Sequence, residues 1–464
     1  MFFPKMFSNH EVRQYLAAWS WNLGAMNMGF FLGWSGVTTP DLQSATSPIY
    51  ESALTDEEVS YTTSFPFITA LISSMVWGYI ANSLGRKITG YLTALCFTTC
   101  YIIALTSDTF SVFVIGRMIG GLAYCAVLFN GPMYIAEMAE VQKLGRISAT
   151  YLISENFGIL TIYILGSYVS YDVLNVFCLA FSVLFLVLIM IFPESPVYYL
   201  KTDRPIEARV ALQWFRPENE QYLESELKRL NDTFILSKKF KFKYLFTKHT
   251  LMALFIALNL QVGIQLTGMH YVACYTVDIF QRTASVIDPY TSTIITGIFL
   301  IIAPCCYFVI TNHFGRKTIT IVSFFLQSLT WAILGGYYFY IEHNTIEDSS
   351  PLNYLPLVCI SLYCLFFAGG GGCIPFTIYG EIFSAEVRNA VMPFIYIWNA
   401  LNSFAVLKLV PTIMLQTIHM SGVFWFFSII SFYIVLFTIF VIPETKGKPF
   451  LTVIDDLTKK ACWK

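Results

Sequence analysis

Twelve apolar runs divide this sequence, and each is long enough to form an α-helix that crosses a lipid bilayer. A helix rises about 1.5 Å per residue, so a hydrocarbon core of about 30 Å requires roughly 20 mostly apolar residues. Transmembrane β-strands need only about ten alternating residues, so runs of this length exclude a small β-barrel. The sequence therefore predicts an all-α membrane protein with twelve transmembrane helices. They cover residues 15–36, 60–81, 88–106, 111–135, 148–169, 173–192, 250–271, 290–311, 318–340, 355–380, 390–413 and 421–442.

The distribution of charge predicts the orientation of these helices. Charged residues make up only 12% of the chain, against about a quarter in soluble proteins. If both termini are cytoplasmic, 25 of the 28 Lys and Arg residues lie on the cytoplasmic side. The other three are Arg117 and Lys408 within runs, where Lys408 is expected to extend to the outer interface, and Arg282 outside. The positive-inside rule favours this multi-pass arrangement in a lipid bilayer, and nothing indicates nucleic-acid binding.

The chain repeats itself after its sixth run. A Gly-Arg-Lys turn follows runs two and eight, a glutamate ends runs four and ten, and a Pro-Glu pair ends runs six and twelve. Such a parallel repeat is typical of secondary transporters. We therefore expect a six-helix half at 1–196, a cytoplasmic linker of short amphipathic helices at 197–249, and a second six-helix half with a cytoplasmic tail at 250–464.

Eight ordered motifs span nearly the whole chain: "GYIANSLGRK", "GRMIGG", "PMYIAEMAE", "PESPVYYL", "GIQLTGMHYVACYT", "NHFGRK", "IPFTIYGEIFSAEVR" and "PETKG". In this order they resemble the sugar porter family of the major facilitator superfamily, and most of all its insect branch of facilitated trehalose transporters. The resemblance implies facilitative transport of a hexose or trehalose by alternating access. It also implies a plasma-membrane protein that functions as a monomer without a cofactor.

The resemblance also implies a cytoplasmic gate, in which cations and acids at the helix ends pair and lock the outward-facing state. The matching residues are Arg86, Arg117, Glu137, Arg146, Glu194, Arg316, Glu381, Arg388 and Glu444. Any one of them could instead only set the topology. A buried arginine is costly in lipid, so Arg117 is expected to pair with an acid, and Glu137 and Glu194 are the expected partners.

Three departures from the family pattern affect this gate. Asn82 and Asn312 stand where the family has an acid, and Leu144 stands where it has an arginine. Asparagine can still accept a hydrogen bond from a helix N-terminus but loses the charge–dipole contribution of about 0.3 to 1 kcal/mol. We therefore expect a weaker cytoplasmic lock and an equilibrium shifted toward the inward-open state.

The substrate site implied by the resemblance is also altered. We expect it to contain Asn156, Gln265, His270, Phe376, Asn399 and Ser403. Only Gln265 and Asn399 keep the residue usual in the family, and two further family contact positions are apolar here, Ile264 and Leu300. Each hydrogen bond lost to a buried sugar hydroxyl costs about 1 to 3 kcal/mol, so the usual hexose pose should be weak.

Two alternatives to a facilitator remain open. The first is a proton-coupled symporter; relatives of that kind carry a carboxylate in the first span, where this chain has Phe31. Glu155 is the only carboxylate well inside a run; pairing with a neighbouring span is favoured, and proton coupling stays possible. The second is a sugar sensor that keeps the fold without transporting. No nucleophile–base arrangement indicates an enzyme, and the cysteines lack the spacing of a metal site.

Overall fold

The computed structural model describes residues 10–44, 49, 52–140, 142–217, 219–238, 242–283, 287–344, 350–448 and 452–453. These residues form seventeen α-helices and short 3₁₀ or π turns. In chain order the helices are α1 His10–Leu42, α2 Asp56–Ser83, α3 Arg86–Thr106, α4 Phe110–Met138, α5 Leu144–Tyr168, α6 Tyr171–Ile191, α7 Pro196–Lys201, α8 Pro205–Phe215, α9 Glu220–Lys238, α10 Lys248–Gln265, α11 Met269–Gln281, α12 Pro289–His313, α13 Arg316–His343, α14 Leu355–Phe366, α15 Ile374–Ile382, α16 Ala385–Leu409 and α17 Leu415–Phe440.

These helices confirm the prediction of twelve membrane crossings. Ten helical stretches of the described chain are long and apolar enough to span a bilayer. One of them, Ala390–Phe440, has 51 residues and holds both α16 and α17, since a single crossing needs only about 20 residues. The 33 residues of α1 supply the remaining crossing.

The backbone departs from regular α-helix at three places where the sequence predicted continuous helices. The seventh is broken between α10 and α11, and π turns at Phe367–Gly371 and Val410–Met414 interrupt the tenth and follow the eleventh. Hydropathy reports the length of an apolar run but not its backbone continuity, so these breaks were not predicted. Such breaks are tolerated at membrane depth where surrounding protein satisfies the freed backbone groups.

The six-helix halves pack mostly within themselves. In the first half α1 lies along α5, α2 along α4, and α3 along α6; in the second half α10 lies along α16, α12 along α14, and α13 along α17. The halves meet where α1 contacts α11, α2 contacts α16, and α5 contacts α12. The main hydrophobic core crosses this interface, since it includes Trp21 and Tyr163 from the first half and Trp331 from the second.

The linker helices are attached to the end of the first half where α1 begins and α4 ends. Arg216, almost completely buried, donates to the carbonyl of Met138 at 2.7 Å and pairs with Glu226 at 3.3 Å. The Gln14 amide donates to the Phe215 carbonyl at 2.7 Å, which fastens the end of α8 to the start of α1. A hydrogen bond from Arg229 lowers the pKa of Glu226, so this carboxylate stays charged at neutral pH.

Candidate functional site

The break in the seventh crossing positions two predicted site residues. Gln265 ends α10 and His270 lies in the first turn of α11, with Gly268 between them at φ +95°. Left-handed backbone strongly favours glycine, and a Cβ at Gly268 would also lie 2.7 Å from the Phe427 ring. Trp331 holds the break by donating its indole N–H to the Thr267 carbonyl at 3.0 Å. The chain therefore presents polar side chains at an interrupted helix, as secondary transporters do at their binding sites.

Amide side chains lie on one side of this break. The Asn399 amide on α16 donates to Gln261 Oε1 at 2.8 Å, which joins α16 to α10. Gln265 is only 4% exposed, and its Oε1 has no hydrogen-bond donor within the described part of the chain. An unsatisfied buried oxygen costs about 1 to 3 kcal/mol, so Gln265 is prepared to accept a hydrogen bond from a ligand.

Ser403 and His270 form a second polar pair across the same two crossings. The Ser403 hydroxyl is 3.0 Å from His270 Nδ1, and His270 Nε2 is 3.4 Å from the hydroxyl of Tyr124 on α4. His270 thus connects the second half to the first. Sequence reasoning did not find Tyr124, because a single tyrosine in an apolar helix carries no motif.

Gln261 was also missed, although a signal for it existed. It lies four residues before Gln265, and a polar pair at that spacing shares one face of a helix. Within an otherwise apolar crossing, this repeat at one-turn spacing would have identified both amides.

Asn156 and Phe376, the other two predicted site residues, are not bonded to this group. Asn156 on α5 donates to the Leu152 carbonyl of its own helix at 3.2 Å, and Phe376 on α15 packs against Tyr379 with ring centroids 5.7 Å apart. Both are partly exposed in the structure. Ile264 and Leu300 are buried, so these family contact positions contribute only apolar surface.

Glu155 lies midway along α5, at the interface between the halves. Its side chain is partly exposed and within electrostatic reach of the Tyr124 hydroxyl and the Cys373 thiol. The expected ion pair with a neighbouring span is not formed, since no cation among the described residues contacts its carboxylate. The described residues also contain no cluster of three His, Cys, Asp or Glu side chains that could hold a metal ion.

The Gly-Arg-Lys turn of the first half accommodates a carboxylate at a helix N-terminus. Glu194, which follows α6, accepts hydrogen bonds from the backbone N–H groups of Arg86 at 3.1 Å and Lys87 at 2.8 Å. It also accepts one from Ser195 at 2.7 Å. Burial raises the pKa of the Glu194 carboxyl, and these hydrogen bonds oppose the rise. Gly85 is required here, because it has φ +101° and a Cβ would collide with the carboxylate.

The two cations of this turn connect α3 to its neighbours. Arg86 is fully buried and pairs with Glu137 at 2.7 Å, which ties the start of α3 to the end of α4. The Lys87 ammonium donates to the carbonyls of Met190 at 2.6 Å and Phe192 at 2.9 Å, where α6 ends. The turn therefore fastens three crossings at one end of the first half.

The second half repeats these hydrogen bonds and this ion pair, although Gly315 has φ −71° where Gly85 has φ +101°. Glu444 accepts from the N–H groups of Arg316 at 2.9 Å and Lys317 at 3.2 Å, and Arg316 pairs with Glu381 at 3.3 Å. The Lys317 ammonium donates to the Ile439 carbonyl at 2.7 Å. The sequence repeat thus reproduces a complete structural unit, of which the glycine and the two cations are the recognisable part.

Asn82 does not have the helix-capping role expected of it. Its Oδ1 lies 3.3 Å from the Lys201 ammonium and 3.5 Å from the Arg86 guanidinium. Glu194 supplies a negative charge at the start of α3. The dipole of that helix is therefore compensated although position 82 carries no acid. The backbone carbonyl of Asn312 accepts a hydrogen bond from the Lys446 ammonium at 2.7 Å.

Arg117 is not part of the cytoplasmic gate, and the expected pairing with Glu137 or Glu194 is wrong. It lies 20 residues before Glu137 on the same helix, which separates them by about 30 Å. Its guanidinium lies 4.0 Å from the Phe31 ring centroid and 4.5 Å from that of Trp34. It donates to Ser35 Oγ at 3.0 Å, so cation–π contacts and neutral acceptors take the place of an acid.

Two other predicted gate residues do not join the ion pairs either. Arg146 is exposed at the start of α5, and Arg388 donates to the carbonyls of Gly380 and Phe383, the latter at 3.2 Å, at the end of α15. The remaining gate residues form pairs that each stay within one half. Leu144, at the first position of α5, is partly buried against the main core.

Lys408, which the sequence predicts to extend to the outer interface, contacts the opposite half. Its ammonium on α16 is 2.9 Å from Ser60 Oγ on α2 and 3.5 Å from the centroid of the Tyr61 ring. Nearby, the hydroxyls of Thr63 on α2 and Tyr275 on α11 are 2.7 Å apart. In this structure polar contacts join the halves at the end of the molecule opposite the Gly-Arg-Lys turns.

Comparisons with known proteins support one family. A family model described as "Sugar (and other) transporter" matches residues 21–455. The facilitated trehalose transporter Tret1 of Bombyx mori is 32% identical over 94% of this chain and 85% of its own length. Tret1 of Culex quinquefasciatus is 30% identical, covering 97% and 86% of the two chains. Tret1 of Drosophila willistoni is also 30% identical, but this chain spans only about half of it, 51%.

Solved structures share the fold. The major facilitator proton:xylose symporter XylE bound to 6-bromo-6-deoxy-D-glucose superimposes with a TM-score of 0.77 at 19% identity, covering 97% of this chain and 100% of that one. The partially occluded inward open conformation of XylE from E. coli gives a TM-score of 0.78 at 19% identity, covering 94% and 100%.

Proposed function

Because the chain belongs to the sugar (and other) transporter family, whose model covers residues 21–455, we propose that it carries trehalose or a hexose down its gradient. As a member of that family it is a multi-pass membrane transporter and not an enzyme. We propose further that it functions as a monomer in the plasma membrane with both termini cytoplasmic. The two six-helix halves, 1–196 and 250–464, would rock about the site while the linker 197–249 travels with the first half.

The unsatisfied oxygen of Gln265 carries this proposal. It is buried at the break of the seventh crossing and lacks a donor within the described residues. The neighbouring polar groups on α10, α11 and α16 are neutral amides, a hydroxyl and an imidazole. A sugar brings several hydroxyl donors and no net charge, so it can satisfy this oxygen without bringing an unpaired charge into the membrane.

The site that we propose comprises Gln265, His270, Asn399 and Ser403 near the break, together with Asn156 on α5 and Phe376 on α15. Gln265 accepts from a sugar hydroxyl, and Phe376 offers an aromatic face to the C–H surface of the ring. The cytoplasmic clusters around Glu194 and Glu444 hold the helix ends of each half, and Arg146 and Arg388 remain available to pair across the halves when the cytoplasmic side closes.

A proton-coupled symporter is the second candidate, because Glu155 has no ion-pair partner in the described part of the chain and lies within electrostatic reach of Tyr124. Proton-coupled relatives carry a carboxylate at the position where this chain has Phe31, and Arg117 lies over the Phe31 ring. The lack of a carboxylate at this position favours the facilitator.

Uptake of labelled trehalose, glucose and fructose into oocytes at external pH 5.5 and 7.5 tests the proposal. Saturable uptake of one of these sugars at equal rates at both pH values is expected. Uptake that rises at pH 5.5 would identify a symporter. No uptake with the protein present at the cell surface would contradict transport of these sugars and favour a sensor.

A further inference from the structure

A cluster of three rings connects the two halves beside the proposed site. Phe67 on α2 and Tyr124 on α4 belong to the first half, and His270 on α11 belongs to the second. The Phe67 ring lies 5.1 Å from His270 and 5.4 Å from Tyr124, measured between centroids. All three side chains are buried. Tyr124 therefore reaches across the interface to a residue of the proposed site.

We assign the proton of His270 to one of its two ring nitrogens from the surrounding hydrogen-bond network. The Ser403 hydroxyl donates its one proton to the Asn399 carbonyl at 2.9 Å. Its oxygen can then only accept from His270 Nδ1, 3.0 Å away, so Nδ1 carries the hydrogen. Nε2 is left as an acceptor, and the Tyr124 hydroxyl donates to it at 3.4 Å.

This last hydrogen bond is weak. Hydrogen bonds between O–H donors and nitrogen acceptors are normally shorter than 3.4 Å, and the interaction weakens with distance. The acceptor nitrogen is buried, however, and would be costly to leave without any donor. A long bond to a buried acceptor is one that a better-placed hydroxyl donor can replace with little loss.

We propose that Tyr124 is a specificity-determining residue. Its hydroxyl donates a hydrogen bond to His270 Nε2 in the substrate-free transporter, and a sugar hydroxyl replaces it as the donor when substrate binds. The inference rests on the proposed function, because it requires a hydroxyl-bearing substrate at His270. The exchange replaces one O–H donor by another, so the number of hydrogen bonds at Nε2 is unchanged. It also breaks a contact between the two halves, which couples substrate binding to their relative movement.

The variant Tyr124→Phe tests the proposal, because it removes the competing hydroxyl and keeps the ring. We expect the KM for the transported sugar to fall about 2- to 10-fold without an increase in Vmax, the range that corresponds to one neutral hydrogen bond. Tyr171→Phe is the matched control. Its hydroxyl donates to the Ala104 carbonyl at 3.0 Å within the first half, so the KM should stay at the wild-type value.

A double-mutant cycle with His270→Ala gives a second readout. If Tyr124 acts through Nε2, Tyr124→Phe should no longer change the KM once His270 is absent. Should His270→Ala be inactive, substrate-dependent thermal stabilisation of purified Tyr124→Phe replaces the cycle, and half-maximal stabilisation should require less sugar than in the wild type.

A KM that is unchanged or raised in Tyr124→Phe, or that falls equally with and without His270, would overturn the proposal. Half-maximal stabilisation at an unchanged sugar concentration would overturn it as well. These outcomes differ from a failure of the proposed function, in which the wild-type protein itself transports no sugar.

Discussion

Replacing Glu194 by glutamine should destabilise the first half of the molecule. The carboxylate accepts three backbone N–H groups, from Arg86, Lys87 and Ser195. Glutamine keeps one acceptor oxygen and places an amide N–H₂ at the other position, so at least one buried donor loses its partner. That loss costs about 1 to 3 kcal/mol, and removing the charge from the start of α3 adds about 0.3 to 1 kcal/mol. The expected total is about 1 to 4 kcal/mol.

Thermal unfolding of the purified protein in detergent measures this effect. We expect Glu194→Gln to lower the midpoint by several degrees, and Glu444→Gln to do the same because the second half repeats the contacts. Glu207→Gln is the control, since this glutamate is exposed in the first turn of α8. If Glu194→Gln unfolds at the same temperature as Glu207→Gln, the carboxylate does not hold the helix ends and the argument is refuted.

Three further predictions concern other contacts. Arg117→Gln leaves no acid unpaired and should lower the free energy of unfolding by about 1 to 3 kcal/mol. Arg86→Gln leaves Glu137 without its partner and should lower it by about 3 to 5 kcal/mol, so an unfolding midpoint lower in Arg117→Gln than in Arg86→Gln would contradict this. Lys408→Met removes a hydrogen bond to Ser60 and a cation–π contact with Tyr61, both in the opposite half, and should lower the free energy of unfolding by about 1 kcal/mol; an unfolding midpoint equal to that of the wild type would contradict the contact. Arg216→Ala should weaken the attachment of the linker to the first half by about 2 kcal/mol and speed proteolysis of the linker. Arg204→Ala, at an exposed position, should leave the rate of proteolysis unchanged.

The number of crossings and the two-fold repeat could be predicted because both depend on one-dimensional patterns. A bilayer requires a minimum apolar length, and the Gly-Arg-Lys and Pro-Glu pairs mark equivalent helix ends. The breaks could not be predicted in this way. Gly268 looks like any glycine in an apolar run until the packing of Phe427 and Trp331 fixes its backbone.

The proposed substrate site could be predicted from the sequence only as a set of positions. Resemblance selected Gln265, His270, Asn399 and Ser403, which the structure brings near one another, but it could not show which partner each would take. The predicted pairing of Arg117 with Glu137 or Glu194 was wrong, because a match to a motif does not show how far apart two residues lie along a helix. Tyr124 was missed because its role depends on the opposite half, and contacts between distant segments leave no local pattern.

Exchange transport in reconstituted liposomes tests the central claim most directly, because alternating access moves substrate in both directions through one site. Liposomes containing the purified protein would be loaded with unlabelled sugar, either trehalose or glucose, and diluted into a trace of the same sugar with label. The account predicts that label accumulates transiently above its external concentration, at equal rates at pH 5.5 and 7.5. Absence of accumulation for both sugars, with substrate-dependent stabilisation retained, would contradict transport and identify a sensor.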